Sequence, residues 1–346
     1  MTPPSFLTFH NAHLEARNNG SFQITRYPRE VRNKLNERGR RMGMDSCGAE
    51  IRFQTTAPTV RITLSCENAN GDVQVYRGPF LQESHTLTQG VPTALEITAG
   101  DRLQEATDDI LESGGFASGI WRILFSRGNF LYHDIESFGH EIRPTEPAET
   151  PQVNWLAYGS SITHSNIAGH PFHAARLLHW NLFAKGLSGG CQIEPEITDY
   201  FSDYINTENI DIITAELGVN MRARYSVEAF TERAAYFIKT LREAAPEVPL
   251  GIISIFTNSC HYSRDPNRLG AQHQAGYDQS LRKLVKEAND SNLHLMEGTE
   301  LLPDFTLLFA DVLHPCPSGQ ALMGHLLAAR LGKLLPGKTV GPTFTP

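Results

Sequence analysis

No run of apolar residues in this chain of 346 approaches the ~20 that a bilayer-crossing helix requires, so a membrane-spanning protein is excluded as a reading. The first residues, Met1 to Leu7, lack the basic region and apolar core of a secretory leader. A basic excess is missing as well. The formal net charge is −8 and the pI about 6.0, which leaves no electrostatic footprint for nucleic acid or an anionic membrane. Cysteine is scarce and widely spaced, at 47, 66, 191, 260 and 316, with no Cys-x-x-Cys pair. Five such residues read as reduced, mostly buried thiols of a cytosolic protein, and they do not support a zinc site. No Gly-x-Gly-x-x-Gly or Walker-type loop follows a strand, which sets aside a nucleotide-binding α/β protein. Repeats and low-complexity tracts are absent too. The expectation is a cytoplasmic protein without metal or cofactor, whose oligomeric state is not legible.

What is present divides in two, as a chain too long for one compact core suggests. Residues 1–143 read as mostly β. Between Glu50 and Cys66, Ile51, Phe53, Val60, Ile62 and Leu64 point one way, and Arg52, Gln54, Arg61 and Thr63 the other, around a turn at 56–58. Further short strands fall at 73–76, 84–88, 94–98, 121–125 and 130–142, with one short helix near 101–111, a pattern that suggests a sandwich or jelly roll. The early basic residues Arg26, Arg29, Arg32, Lys34, Arg38, Arg40 and Arg41 read as a solvated loop. Pro144, Pro147 and Pro151 mark residues 144–151 as an extended linker.

From residue 152 to 346 strands alternate with helices. The strands are expected at 153–158, 181–185, 210–217, 250–256 and 293–297. The best helix spans 226–245, with Phe230, Ala234, Phe237, Ile238 and Leu241 on one face, Ser226 as its cap and Pro246 past its end. Another spans 318–335, with Leu322, Leu326, Ala329 and Leu334 inward. This alternation predicts a parallel sheet covered on both faces, with its functional crevice at the C-terminal strand ends.

At one such end Val153 to Tyr158 stop at Gly159, and Ser160, Ser161 and Thr163 follow. That is a common way to expose a nucleophile, and equally the start of a Ser/Thr-capped helix. Serine catalysis also needs a base, a group that orients it, and donors for an oxyanion. Asp311 and His314, just before the last helix, offer a carboxylate and an imidazole; glycine turns at 186–190 and 216–220 offer donors.

Taken in order, Gly159-Ser160-Ser161-Ile162-Thr163, Gly186 to Gly189, Gly218-Val219-Asn220 and Asp311 to Pro315 resemble the four motif blocks of the SGNH (GDSL-type) hydrolases, spread over most of 153–335. The resemblance implies a flavodoxin-like three-layer α/β domain with Ser161 as nucleophile, His314 as base and Asp311 as the orienting carboxylate. The N–H groups of Ser161 and Gly189 and the side-chain amide of Asn220 would form the oxyanion hole. Ser160 stands where the family usually has Asp, so motif register alone selects Ser161 over its neighbour. More loosely, the β half, with Phe138 to Pro144 leading into the linker, is reminiscent of the jelly-roll domain preceding the SGNH domain in some carbohydrate esterases and acyl-transferring enzymes.

The leading expectation is a serine esterase acting on a small-molecule ester, with a small acyl group on a sugar or another hydroxylated metabolite. With a histidine base its rate rises as the imidazole loses its proton. An acyltransferase using the same triad is the nearest rival, and a carbohydrate-binding protein on an inactive hydrolase scaffold the rival from another class. His164, His170 and His173 read as surface or pocket-lining residues, and Arg222 and Arg224 as parts of a solvated loop.

Overall fold

The computed structural model describes residues 2–222 and 224–337; the last residues of the 152–346 segment, from 338 on, lie outside the described residues. Eleven described strands precede residue 144: β1 (Thr8–His10), β2 (His13–Ala16), β3 (Phe22–Thr25), β4 (Glu50–Thr55), β5 (Thr59–Cys66), β6 (Gly71–Arg77), β7 (Phe80–Leu87), β8 (Thr93–Thr98), β9 (Ile120–Phe125), β10 (Phe130–Glu136) and β11 (Ile142–Arg143). They form two antiparallel sheets, ordered β1-β4-β9-β6-β7, with β11 beside β4, and β2-β3-β10-β5-β8. The inward residues of β4 and β5 belong to different sheets and meet in one apolar core: Ile51 and Phe53 from the first, Val60, Ile62 and Leu64 from the second. Alternation in the sequence located this core because a strand's side chains change face at every residue.

Among the described residues this half also holds three short α-helices, α1 (Arg29–Arg32), α2 (Glu37–Gly43) and α3 (Asp108–Leu111), the last after a 3₁₀ turn at Asp101–Glu105. The first two replace the expected solvated loop. Arg26 and Arg32 are buried, and Asn36 caps α2 by accepting from the N–H of Gly39. Only part of the basic run is exposed, because β3 delivers Arg26 inward. The expected extended linker is also more ordered. Pro147–Glu149 form a 3₁₀ turn in which the Glu149 carboxylate accepts from the N–H of Glu146 and pairs with Arg143 at 2.6 Å.

The second half adds β12 (Asn154–Tyr158), α4 (Ser161–His164), α5 (His170–Leu178), β13 (Asn181–Ala184), α6 (Pro195–Thr207), β14 (Ile212–Glu216), α7 (Val227–Ala244), β15 (Leu250–Ile253), α8 (Leu269–Ala288), β16 (Leu293–Met296), α9 (Gly298–Leu301) and α10 (Pro317–Leu334). The five strands are parallel in the order β13-β12-β14-β15-β16, the 2-1-3-4-5 order of flavodoxin-like sheets. Each face is apolar. From β12, Leu156 and Tyr158 pack with residues of α6, α7 and α8, whereas Trp155 and Ala157 pack with residues of α5 and α10. Helix α7 matches its expected face, and Ser226 Oγ accepts from the N–H of Ala229. In α10 the inward face includes Met323, Leu327, Ala328 and Leu331 and none of the expected four; leucines surround this helix, so composition does not select the buried stripe. Among the described residues no helix is long and apolar enough to cross a membrane.

Edge strand β13 is covered by the N-terminal half. His10 Nε2 lies 2.8 Å from the Leu182 carbonyl, Arg26 donates to the Ala184 carbonyl at 3.0 Å, and Arg52 donates to Asn181 Oδ1 at 2.9 Å. An open edge of backbone acceptors is thereby closed.

Candidate active site

Strand β12 ends between β13 and β14, where the strand order reverses, and parallel sheets open their crevice at that point. Gly159 turns the chain where no side chain fits, since a Cβ would stand 2.4 Å from Thr163 Oγ1 and 2.7 Å from Glu216 Oε2. The two adjacent hydroxyls then part company. Ser160 is buried, and its Oγ accepts from the N–H of Ile162 as the cap of α4. Ser161, one residue on, is half-buried, and its Oγ lies 2.7 Å from Nε2 of His314. The helix cap and a serine facing an imidazole are thus both present, on neighbouring residues.

On the far side of the ring, His314 Nδ1 lies 2.7 Å from Asp311 Oδ2. Asp311 Oδ1 accepts from the N–H groups of Leu313 and His314, each at 3.0 Å. Partial burial pushes the Asp311 carboxyl upward, but the His314 hydrogen bonds outweigh it and hold the group below its ordinary value. The loop that presents this pair contains Val312 at φ +51°, a conformation a β-branched residue seldom adopts. It is pinned by the Val312 carbonyl accepting from Ser259 N–H at 2.9 Å and by Phe309 N–H donating to the His314 carbonyl at 2.8 Å.

The two glycine turns follow β13 and β14, the strands on either side of β12. In the first, Leu187 N–H donates to the Gly159 carbonyl at 2.8 Å, and Gly189 takes φ +72°. In the second, Asn220 Oδ1 accepts from Cys191 N–H at 3.2 Å. Only the oxygen of an amide can accept, so this bond turns the Asn220 NH₂ the other way as a donor.

Beneath the nucleophile turn lies a group that motif spacing did not single out. Glu216, the last residue of β14, is fully buried, and its Oε2 accepts from Ser160 N–H at 2.7 Å and from Thr163 Oγ1 at 3.2 Å. Burial lifts its pKa to about 7 against the pull of the Ser160 hydrogen bonds. A carboxyl raised in this way binds more protons folded than unfolded between its ordinary value and about 7. The native state therefore loses stability as pH climbs through that window, and the loss is constant above it. Glu216→Gln keeps an acceptor for Ser160 and cannot ionise. Its stability relative to the parent is expected to rise from pH 5 to pH 8, by up to about 3 kcal/mol. Denaturant titrations at the two pH values check this, and parallel pH dependence in both proteins would rule the account out.

The histidines and arginines of this region differ from their sequence reading. His164 and His170 are buried rather than superficial, and His173 is half-buried. Arg222 is no solvated loop residue: it donates to Asn258 Oδ1 at 2.8 Å and Gln274 Oε1 at 2.7 Å. Arg224 is exposed as expected. His164 also meets Asp45 and Cys47, residues more than a hundred positions away, in a trio with metal-like spacing. A cation already stands there. His164 Nε2 lies 3.2 Å from Asp45 Oδ1 and 3.0 Å from Arg26 Nη2, and Nδ1 accepts from Ser188 N–H at 3.2 Å. Burial and the Arg26 charge lower His164 to about 4, so the ring is neutral. These residues fit a structural network better than a metal centre.

No family model and no curated protein sequence matches the chain. Its fold does match solved structures. A salicylyl-acyltransferase, SsfX3, from a tetracycline biosynthetic pathway aligns over 97% of each chain with a TM-score of 0.78 and 16% identity. A GDSL-like lipase candidate from Bacteroides ovatus aligns over 95% of this chain and 98% of its own, with a TM-score of 0.68 and 17% identity. A family two carbohydrate esterase from Clostridium thermocellum, in complex with cellohexaose, aligns over 95% of this chain and 99% of its own, with a TM-score of 0.60 and 10% identity. Over nearly its whole length, then, this chain has the fold shared by a salicylyl-acyltransferase, a GDSL-like lipase candidate and a family two carbohydrate esterase.

Proposed function

We propose that the protein is a serine hydrolase of carboxylic esters that works through an acyl-enzyme on Ser161. The observation that carries this reading is the line from Ser161 Oγ through the His314 ring to Asp311, with 2.7 Å at both joints. His314 Nε2 takes the hydroxyl proton as Ser161 Oγ attacks the ester carbonyl, and Asp311 holds the ring with Nδ1–H toward it. Charge building on the carbonyl oxygen is met by the N–H groups of Ser161 and Gly189 and by the Asn220 amide. Collapse of the tetrahedral intermediate breaks the carbonyl–alkoxy bond, and the proton on His314 passes to the leaving alcohol. Water then attacks the acyl-enzyme, giving its proton to His314, and the acid leaves as Ser161 recovers its hydrogen. A small acyl group on a sugar or other hydroxylated metabolite is the substrate class we favour, in keeping with the carbohydrate esterases among the structural neighbours.

A second reading replaces water by an acceptor hydroxyl in the last step. The 97% coverage and TM-score of 0.78 against an acyltransferase favour keeping it. Product analysis separates the two. With p-nitrophenyl acetate and a panel of sugars and polyols, hydrolysis gives acetate in step with p-nitrophenol, whatever the alcohol. Acetylated alcohol appearing in place of acetate would assign the transferase instead.

A further inference from the structure

The geometry points to an anion-binding pocket beside the oxyanion donors, through which the enzyme recognises esters carrying a carboxylate or phosphate. This rests on Ser161 being the acylating nucleophile for its place relative to the substrate. A cavity of about 580 Å³ is lined by Arg38, Arg41, Arg224, Glu37, Gln192 and Tyr225, among others. Its walls are α2 and the two turns that follow β13 and β14. Arg38 Nε donates to the Ser188 carbonyl at 2.9 Å, and a Cβ placed on Gly189 would stand 3.3 Å from that same Nε. Opposite, Tyr225 Oη donates to Gln192 Oε1 at 2.9 Å, and Arg224 N–H donates to the Met221 carbonyl, so Arg224 and Tyr225 lie within five residues of Asn220. The cavity therefore adjoins Gly189 on one side and the segment after Asn220 on the other.

Three arginines lining one cavity give it a net positive charge. Asp and Glu outnumber Lys and Arg by 38 to 30 in this chain, and many arginines elsewhere are paired, among them Arg32 with Glu15, Arg122 with Glu50, Arg242 with Asp290 and Arg282 with Glu297. Arg38, Arg41 and Arg224 have no ion-pair partner among the described residues, although Glu37 lines the same cavity. Three exposed guanidinium groups line this cavity against one carboxylate, and guanidinium forks match the geometry of carboxylate and phosphate oxygens. The arrangement is also built in rather than incidental. Asn36 fastens α2 by donating to the Gly190 carbonyl at 2.9 Å and to Glu194, and Gly190 lies so close to Gly39 that a Cβ would meet the Gly39 nitrogen at 2.5 Å.

The test uses the full chain and its double variant Arg41→Gln with Arg224→Gln, which leaves the Arg38–Ser188 tie intact. One pair of esters differs by a carboxylate on the acyl side, mono-p-nitrophenyl succinate against p-nitrophenyl butyrate. A second differs by a phosphate on the alcohol side, acetylated glycerol phosphate against glycerol monoacetate. The parent is expected to prefer the anionic member of at least one pair by tenfold or more in kcat/KM, with the variant bringing that ratio near one. Calorimetric titration with inorganic pyrophosphate should show saturable binding to the parent, weakened at least tenfold in the variant. The pocket stands if the variant loses any signal the parent shows. It falls if the parent shows neither preference nor binding, or if the variant keeps all that the parent shows. Should no ester be turned over at all, the hydrolase reading fails and pyrophosphate binding alone decides the pocket.

Discussion

Ser161→Ala is expected to lower kcat for p-nitrophenyl acetate by about 10⁴–10⁶-fold, the scale on which removing a serine nucleophile acts. Ser160→Ala is expected to cost about 1 kcal/mol of stability through the lost cap and to leave most of the turnover. The contrast is the informative part. Ser160 is buried and its Oγ is occupied by the N–H of Ile162, whereas Ser161 Oγ faces a ring nitrogen that can take its proton. A fluorophosphonate should label the peptide carrying Ser161 in the parent and in Ser160→Ala, and neither serine in Ser161→Ala. Turnover retained in Ser161→Ala but lost in Ser160→Ala would sink the assignment. A near-normal melting curve for Ser161→Ala is part of the prediction, since the half-buried hydroxyl is replaced by a smaller side chain with no buried partner left stranded.

The second large effect is on stability. Arg26, at the end of β3, is wholly buried and donates to four backbone carbonyls: Asp45 at 2.8 Å, Ala184 at 3.0 Å, Gly186 at 2.8 Å and Met42 at 2.8 Å. Two of these acceptors lie in the N-terminal half and two at the end of edge strand β13. Arg26→Met keeps much of the volume but takes a donor from all four carbonyls, only two of which, those of Ala184 and Met42, keep another within reach, and removes the cation beside the buried Asp45 carboxylate. Breaking a buried charged network in this way costs about 3–5 kcal/mol. Arg26→Lys should recover little of that loss, because one ammonium on a flexible stem cannot reach acceptors arranged around a planar fork. Denaturant midpoints of the parent and both variants check this. The effect should also reach the chemistry, because Gly186 opens the turn that carries Gly189, and His164 joins Arg26 to the turn after Ser161. A Met variant with an unchanged midpoint would show that the two halves do not depend on this contact.

The site was legible in the sequence to the extent that its parts sit at strand ends. Each glycine turn after an apolar run announces itself locally, and Asp311 and His314 are close enough to meet within one loop. Glu216 lies two residues before Gly218 but gives no local signal of its role, because what makes it unusual is total burial under another strand's turn. Arg26 and His164 were misread for a related cause. Arginine and histidine are usually exposed, and here partners up to 160 residues away in the chain help make their burial tolerable. The α10 face went astray for the opposite reason: with leucines all round, nothing local selects the stripe that meets α5 and β12.

By itself, then, the sequence determined the alternation of strand and helix, the apolar faces of the β half and the parallel strands, and the order in which candidate groups arrive. These are local properties, set by residue periodicity and turn chemistry within a few positions. Tertiary structure decided the division of labour between Ser160 and Ser161, the burial of Glu216, the docking of α2 onto the Gly189 turn and the gathering of Arg38, Arg41 and Arg224 around one cavity. Those depend on contacts between residues far apart in the chain, and strand order and edge coverage create them without leaving a mark on any short stretch of sequence.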